Sequence, residues 1–239
     1  MTPSEMQSSY DRSAEAWTAG PEQVYTRLAQ RLVDASPVPL AGARVLDLGA
    51  GTGVASRASL AGGAAIRPVV ADACALPFTA DSFDLVVAAF SLGHVTDPAQ
   101  ALRETRMVGG ALLVSAFAAD WTHPAKAAVD DALAQYGFRP PPWYVTLKSD
   151  LEPRVDDPAN LSALATAAGY VDVSVHTLPV ATGFDTPAQL AGWRLGMAHV
   201  APFLQTLDPS QRAAARSAAE SALAGAAPLV VSMVVLAAT

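Results

Sequence analysis

With 239 residues, 51% of them hydrophobic, and a formal charge of −7, the chain has the length of one domain with a cap and enough apolar material for a buried core. No run of Lys or Arg forms a stripe, which argues against nucleic acid as the main partner, because phosphate binding needs clustered cations. The lone cysteine, Cys74, cannot form an internal disulfide and suits a reducing compartment. The longest apolar stretch, Pro228 to Ala238, is too short to span a bilayer.

The N-terminus, Met1-Thr2-Pro3-Ser4-Glu5, shows no basic region leading into an apolar run, so no leader is expected. Residues 1–20 are polar, with Tyr10 and Trp17 scattered among them. From Pro21 to Ala35, Val24, Leu28 and Leu32 recur every four positions and predict an amphipathic helix that Pro37 and Pro39 end. Ala43 to Leu48 reads as the first strand, running into Gly49-Ala50-Gly51-Thr52-Gly53 and then a helix that Gly62-Gly63 stops. Ile66 to Ala71 reads as a second strand and Phe83 to Phe90 as a third. The third is nearly all apolar, as a strand with both faces covered must be. Asp97-Pro98 supplies an N-cap and a first-turn proline for the next helix, a device repeated at Asp157-Pro158 and Asp208-Pro209. Ala111 to Phe117 follows as the fourth strand, with Gly109-Gly110 as the separator.

Beyond Phe117 the pattern loosens. His123-Pro124 is expected to open a helix, and Pro140-Pro141-Pro142-Trp143-Tyr144 to form a stiff aromatic loop. Helices are expected at 158–168, 187–200 and 209–224, and strands at Tyr170 to Leu178 and Leu229 to Leu236. Alternating helices and apolar strands predict an α/β fold with a doubly wound, mostly parallel sheet and helical cap insertions. The expected organisation is a single domain over 1–239, with N-terminal lid helices in 1–35. Segments 118–156 and 179–227 are the cap that binds substrate.

The stretch Val45-Leu46-Asp47-Leu48-Gly49-Ala50-Gly51-Thr52-Gly53 carries the chemistry. Alternate glycines leave the backbone bare where something large must approach. The G-x-G-x-G spacing differs from the G-x-G-x-x-G that cradles a pyrophosphate in dinucleotide folds. The stretch resembles motif I of the class I S-adenosylmethionine-dependent methyltransferases. The likeness continues through Asp72-Ala73 before Leu76-Pro77-Phe78, through Ser82 to Val86, and through Ser91-Leu92-Gly93-His94-Val95. These look like the later motifs of the small-molecule branch that includes the ubiquinone and sterol methyltransferases. Ser9-Tyr10-Asp11 and Ala14 to Trp17 resemble that branch's N-terminal lid.

The resemblance covers roughly residues 8–117 and implies a Rossmann-like methyltransferase fold with S-adenosylmethionine as cofactor. Asp47, on the strand entering the turn, is placed to meet the cofactor's ammonium group, with Gly49, Ala50, Gly51 and Gly53 close beneath it. Asp72 is placed to accept from the adenine amino group, with the main chain of Ala73 and Cys74 nearby, and Phe90 and Ser91 flank the methionine portion.

Two departures from the family pattern stand out. The family places a second strand, ending in an acid for the ribose hydroxyls, and then a helix before the strand that leads to Asp72. Here Gly53 and Asp72 are only 19 positions apart, whereas a single βαβ unit takes about 30 residues. Either Ile66 to Ala71 has become the second strand and Asp72 meets the ribose, or the native chain carries further residues here. An intact mass equal to that of the 239-residue chain would exclude the second reading. The turn Arg106 to Gly110 is also shorter than the family's, which has a proline-containing turn.

Few groups suit acid–base work. His94, just past the cofactor-facing strand, either accepts a proton from the substrate or closes the loop as a structural residue. Tyr10, Trp17, Trp143 and Tyr144 are candidates for the walls of an apolar substrate pocket. His199 is either a core residue or part of that pocket. The histidines are scattered and Cys74 is alone, so no metal site is expected. The expected function is methyl transfer from S-adenosylmethionine to oxygen, carbon or nitrogen of a small, largely apolar molecule, in a cytoplasmic monomer or homodimer that binds neither nucleic acid nor membrane. One alternative keeps the fold for cyclisation, isomerisation or binding without methyl transfer. Another, a nicotinamide-dependent oxidoreductase, is opposed by the glycine spacing and the lack of a Tyr–Lys pair.

Overall fold

The central strands are built from residues that water excludes from both faces. In the computed structural model, Leu85, Val86, Val87 and Ala88 of β2 (Phe83–Ala89) are fully buried, as are Leu112, Leu113 and Val114 of β3 (Gly109–Phe117). Each of these leucines and valines stabilises the fold by about 1.5–3 kcal/mol relative to exposure. The structure describes residues 3–66 and 69–239. The Met1–Thr2 end and Arg67–Pro68 of the expected second strand lie outside the described residues.

In chain order the elements are α1 (Pro3–Ala19), α2 (Pro21–Val33), β1 (Val45–Asp47), α3 (Val54–Ala61), β2, α4 (Pro98–Val108), β3, α5 (Pro124–Ala134), α6 (Pro142–Thr146), α7 (Pro158–Ala167), β4 (Ser174–Ala181), α8 (Pro187–Leu195), α9 (Ala201–Thr206), α10 (Pro209–Ser221) and β5 (Val230–Ala238). The sheet runs β1-β2-β3-β5-β4. β1, β2 and β3 are parallel and β5 is antiparallel to β3. This is the mostly parallel α/β sheet expected from the sequence. The Arg44 guanidinium grips the Asp84 carboxylate at 3.2 and 2.9 Å, and its amide donates to the same group at 2.8 Å, which pins β1 against β2 at their start.

Proline-led helix starts dominate. Asp97, Asp157 and Asp208 cap α4, α7 and α10 through their carboxylates, His123 caps α5 through its imidazole Nδ1, and Thr186 caps α8 through its hydroxyl.

The helices expected within 1–35 are present as α1, whose buried face includes Ser9 and Ser13, and α2. The hydroxyl of Ser13 donates to the Ser9 carbonyl and that of Ser9 to the Ala198 carbonyl, so polar side chains are buried at no hydrogen-bond cost. Several boundaries differ from expectation. Pro140 to Tyr144 is not all loop, because Pro142 opens α6. The expected helix 187–200 ends at Leu195, and α9 begins at Ala201. The strand expected from Tyr170 begins only at Ser174. Gly109 and Gly110 are the first residues of β3 and not a separator.

The largest correction is Ile66 to Ala71. Its described residues form no strand. Just before β1, Arg44 pairs with Ala65 in an isolated parallel bridge, and Val70 is 99% exposed. An apolar run alone does not make a strand; it needs a ladder and a covered face.

Contacts divide the chain into two compact units. A sheet unit comprises Thr26–Ala119, Leu147–Val180 and Ser232–Thr239. A helical unit comprises the chain up to Tyr25, Asp120–Thr146 and Ala181–Val231. In the helical unit α5, α8 and α10 pack together, and α1 packs on α6, α8 and α9.

Candidate active site

In the sheet unit the turn after β1 is held open by its backbone. Gly49, Gly51 and Gly53 all have positive φ, at 73°, 54° and 84°, where a side chain is strained. At Gly49 there is a second reason. A Cβ there would sit 2.7 Å from the Cβ of Ser91. At Gly51 a Cβ would meet nothing within 4 Å, so the space above the turn is clear of protein. The Gly53 amide donates to the Ala50 carbonyl at 2.8 Å and closes the turn, and α3 starts at once.

Asp47 ends β1 beside this turn. Its Oδ2 accepts the Ser56 hydroxyl of α3 at 2.6 Å. Burial pushes the Asp47 carboxyl above its ordinary value, and the Ser56 bond pulls part of the way back. Ser56 was not singled out from the sequence; its signal is a hydroxyl in the first turn of the helix that follows the glycines. Thr52 Oγ1, within the turn, is enclosed and has no hydrogen-bond partner among the described residues. A buried hydroxyl left so costs about 1–3 kcal/mol, which a ligand polar atom would recover. An ionisable carboxylate, a bare main chain and an unpartnered hydroxyl fit a ligand that carries an ammonium group and no phosphate, which is the character of S-adenosylmethionine.

Phe90 and Ser91 follow β2 and adjoin the turn. Ser91 Oγ donates to the Leu48 carbonyl. Phe90 holds φ at 53°, a strained value for a non-glycine residue. Its amide is fixed by Ser115, through the carbonyl at 3.1 Å and the hydroxyl at 3.2 Å, and its ring lies 4.6 Å from that of Phe117. The His94 amide donates to the Ser91 carbonyl at 2.9 Å, and its imidazole donates to the Phe90 carbonyl. His94 is half-buried. Loss of water pushes its pKa below the ordinary imidazole value, the nearby Glu152 carboxylate opposes this, and Lys148 adds to it. Lys148 and Glu152 pair with each other in the segment after α6. Asp47, the glycines, Ala50, Phe90, Ser91 and His94 therefore form one linked group.

Asp72, Ala73 and Cys74 are anchored elsewhere. Asp72 Oδ1 accepts the Cys74 amide at 2.9 Å and caps a tight turn. The Cys74 thiol reaches the Asp97 carbonyl at 3.5 Å, and the Leu76 amide donates to Glu104 at 2.9 Å. These bonds run to α4 and its cap, not to the glycine turn. Burial, then the Asp72 charge, push the Cys74 thiol up, which favours its protonated form.

In the helical unit the five aromatic and imidazole candidates come together. Tyr10 lies 6.1 Å from Trp17 and 6.2 Å from Trp143, ring to ring. Trp143 meets Tyr144 at 5.8 Å, edge on. Tyr144 stacks on His199 at 3.7 Å, nearly parallel. Arg194, buried and missed from the sequence, grips Asp130 at 3.1 and 2.6 Å, and its guanidinium carbon lies 6.0 Å from the centroid of the Tyr144 ring. Trp143 and His199 also line a cavity of about 690 Å³, within the usual range for small-molecule sites.

A family described as a methyltransferase domain matches residues 39–114, which contain β1, the glycine turn, β2 and α4. The demethylmenaquinone methyltransferase of Renibacterium salmoninarum is 30% identical over 199 aligned residues, 71% of this chain and 82% of that enzyme. Because 71% of 239 residues is about 170, some 29 of those 199 positions face a gap in this chain. The demethylmenaquinone methyltransferase of Clavibacter sepedonicus is 34% identical over 139 residues, and there the chain spans about half of the relative, 55% of its length.

Among solved structures, a protein assigned as a methyltransferase of an antibiotic biosynthesis pathway in Anabaena variabilis matches with a TM-score of 0.57 at 12% identity, covering 89% of this chain and 96% of that one. The [4+2]-cyclase SpnF matches at 0.51 and 20% identity, covering 90% and 81%. These two likenesses show the fold alone.

Proposed function

The chain belongs to the class I S-adenosylmethionine-dependent methyltransferases, and from that premise we propose that its substrate is a small, largely apolar molecule methylated on oxygen, carbon or nitrogen. The observation that carries this reading is the aromatic cluster of Tyr10, Trp17, Trp143, Tyr144 and His199, two of whose members line the cavity. The relatives' names make demethylmenaquinone the first acceptor to assay.

Bound S-adenosylmethionine supplies an electrophilic methyl group on a sulfonium. The residues of the sheet unit bind and orient it. The Asp47 carboxylate, steered by Ser56, accepts from its ammonium group, and Gly49, Ala50, Gly51 and Gly53 offer main chain without side chains. Asp72 accepts from the adenine, with the Ala73 and Cys74 main chain alongside, and Phe90 and Ser91 flank the methionine portion. His94 takes up the substrate proton. Its lowered pKa keeps the imidazole neutral at neutral pH, as a base must be. Most of the acceleration comes from holding nucleophile and methyl group together. Among the described residues no helix is long and apolar enough to cross a membrane. We place the enzyme in the cytoplasm as a monomer or homodimer without a nucleic-acid partner.

Calorimetric titration with S-adenosylmethionine and S-adenosylhomocysteine tests the reading. Both should bind the intact protein, and Asp47→Ala should weaken binding about 10- to 100-fold, as expected for a lost charge-assisted hydrogen bond. Affinity should fall as pH drops through the folded pKa of Asp47, which lies above the ordinary carboxylate value, because only the ionised group holds an ammonium. Absence of binding at neutral pH would overturn the assignment.

A further inference from the structure

The cavity of the helical unit has walls of two kinds. Phe138, Pro142, Trp143 and Phe203 form an apolar side, with the Phe138 and Phe203 rings 5.3 Å apart. Arg12, from α1, and Arg139, from the segment before α6, bring guanidinium groups from two separate elements. Neither is paired with a carboxylate among the described residues. Arg139 donates to the Phe138 carbonyl, which neutralises nothing. Glu5 is the one acid among the lining residues. Two cations against one anion leave a single net positive charge, apart from His199, in a chain whose overall charge is −7.

Arg12 and Arg139 are both exposed; a purely apolar ligand would use the aromatic side but would offer these guanidinium groups no acceptor in exchange for the water it displaces. A dianion would face Glu5. An aromatic ring suits the Phe138, Trp143 and Phe203 side through stacked or edge-on contacts, and a carboxylate suits the flat donor fork of arginine.

We propose that this cavity binds a planar aromatic monoanion, its ring against Phe138, Trp143 and Phe203 and its carboxylate on Arg12 and Arg139. The proposal rests on the reading that the helical unit holds the methyl acceptor, and it narrows that acceptor from an apolar molecule to an aromatic acid.

The test uses the full chain and two probes of equal shape, 2-naphthoate and 2-naphthamide, titrated calorimetrically at neutral pH with S-adenosylhomocysteine present. The naphthoate should bind at least about tenfold tighter, a difference of one charge-assisted contact. Arg12→Met and Arg139→Met should each remove most of that preference while keeping the apolar stem. Arg27→Met, an exposed arginine on α2 away from the lining, changes net charge equally and should leave the preference intact. Equal affinity for the two probes, or failure of both to bind, would overturn the proposal, as would an equal loss in Arg27→Met, which would make the effect one of net charge alone. The reading of the helical unit as the acceptor site fails on a different result, namely that naphthoate binds as described while Trp143→Ala leaves methyl transfer unchanged.

Discussion

The glycine turn of the sheet unit and the cavity of the helical unit are built in opposite ways. The turn is made of main chain. Its positive φ angles and the near-contact of Gly49 with Ser91 demand glycine at fixed spacing. The cavity is made of side chains drawn from α1, the residues around Arg139, and the end of the chain's 199–203 stretch. A backbone device leaves a readable mark in the sequence, and a side-chain device assembled from distant segments does not. The same division separates what a family shares from what a member selects. The family match covers 39–114, all within the sheet unit, whereas the cavity residues lie outside it.

The sharpest way to break this contrast is to add a single methyl group to the turn. Gly49→Ala combines a strained φ, at about 1–2 kcal/mol, with a Cβ pressed on Ser91, for which overpacking adds about 1–3 kcal/mol. Denaturant unfolding should show the sum, and cofactor binding should be lost. Gly51→Ala carries only the strain, since its Cβ meets no protein atom. That variant should stay folded and yet bind S-adenosylhomocysteine more than about tenfold more weakly. Wild-type affinity in Gly51→Ala would mean that the turn serves packing and cradles nothing.

The sheet unit was legible for the same reason. The apolar runs of β2 and β3, the Asp-Pro helix starts and the β1–turn–α3 passage each impose a local requirement on residue type. Ile66 to Ala71 misled because apolarity signals burial only where a partner exists, and here Val70 points to water. In α1 the reverse holds. Ser9 and Ser13 look like surface residues until their hydroxyls are seen bonded to carbonyls, one of them 189 positions away. The five aromatic and imidazole candidates were nameable as types, but only the fold brings Tyr144 onto His199 and Arg194 onto Tyr144. Arg12, Arg139 and Arg194 carry no motif at all.

A second measurement sharpens the contrast from the other side. Arg194→Leu removes a buried guanidinium from Asp130 and Tyr144. Breaking a buried pair costs about 3–5 kcal/mol. The Asp130 side chain is only partly buried and regains water, so a loss of about 2–3 kcal/mol in unfolding free energy is expected. Tyr144 loses its anchor and so does the stacked His199, which should weaken ligand binding in the cavity. Arg194, Asp130 and Tyr144 all belong to the helical unit and the glycine turn to the sheet unit, so S-adenosylhomocysteine affinity should be unchanged in the folded variant.

Asp72 gives the smallest effect and decides what the short interval after Gly53 has done to the cofactor site. Its carboxylate already caps the turn at Cys74, and the bonds around it run to α4 and its cap. Substitution should therefore leave the geometry of Gly49 to Gly53 intact. An exposed hydrogen bond is worth about 0.5–1.5 kcal/mol, so Asp72→Ala should weaken S-adenosylhomocysteine only a few-fold. The adenine and ribose roles then separate by ligand. If Asp72 accepts from the adenine amino group, S-inosylhomocysteine, which lacks that group, should bind wild type more weakly, and Asp72→Ala should bind both ligands alike. If Asp72 meets the ribose hydroxyls, both ligands should weaken together in Asp72→Ala, and Asp72→Asn, which keeps one acceptor but not the charge, should fall between. No change with either ligand would leave Asp72 a turn cap and assign recognition of the nucleoside to main chain alone.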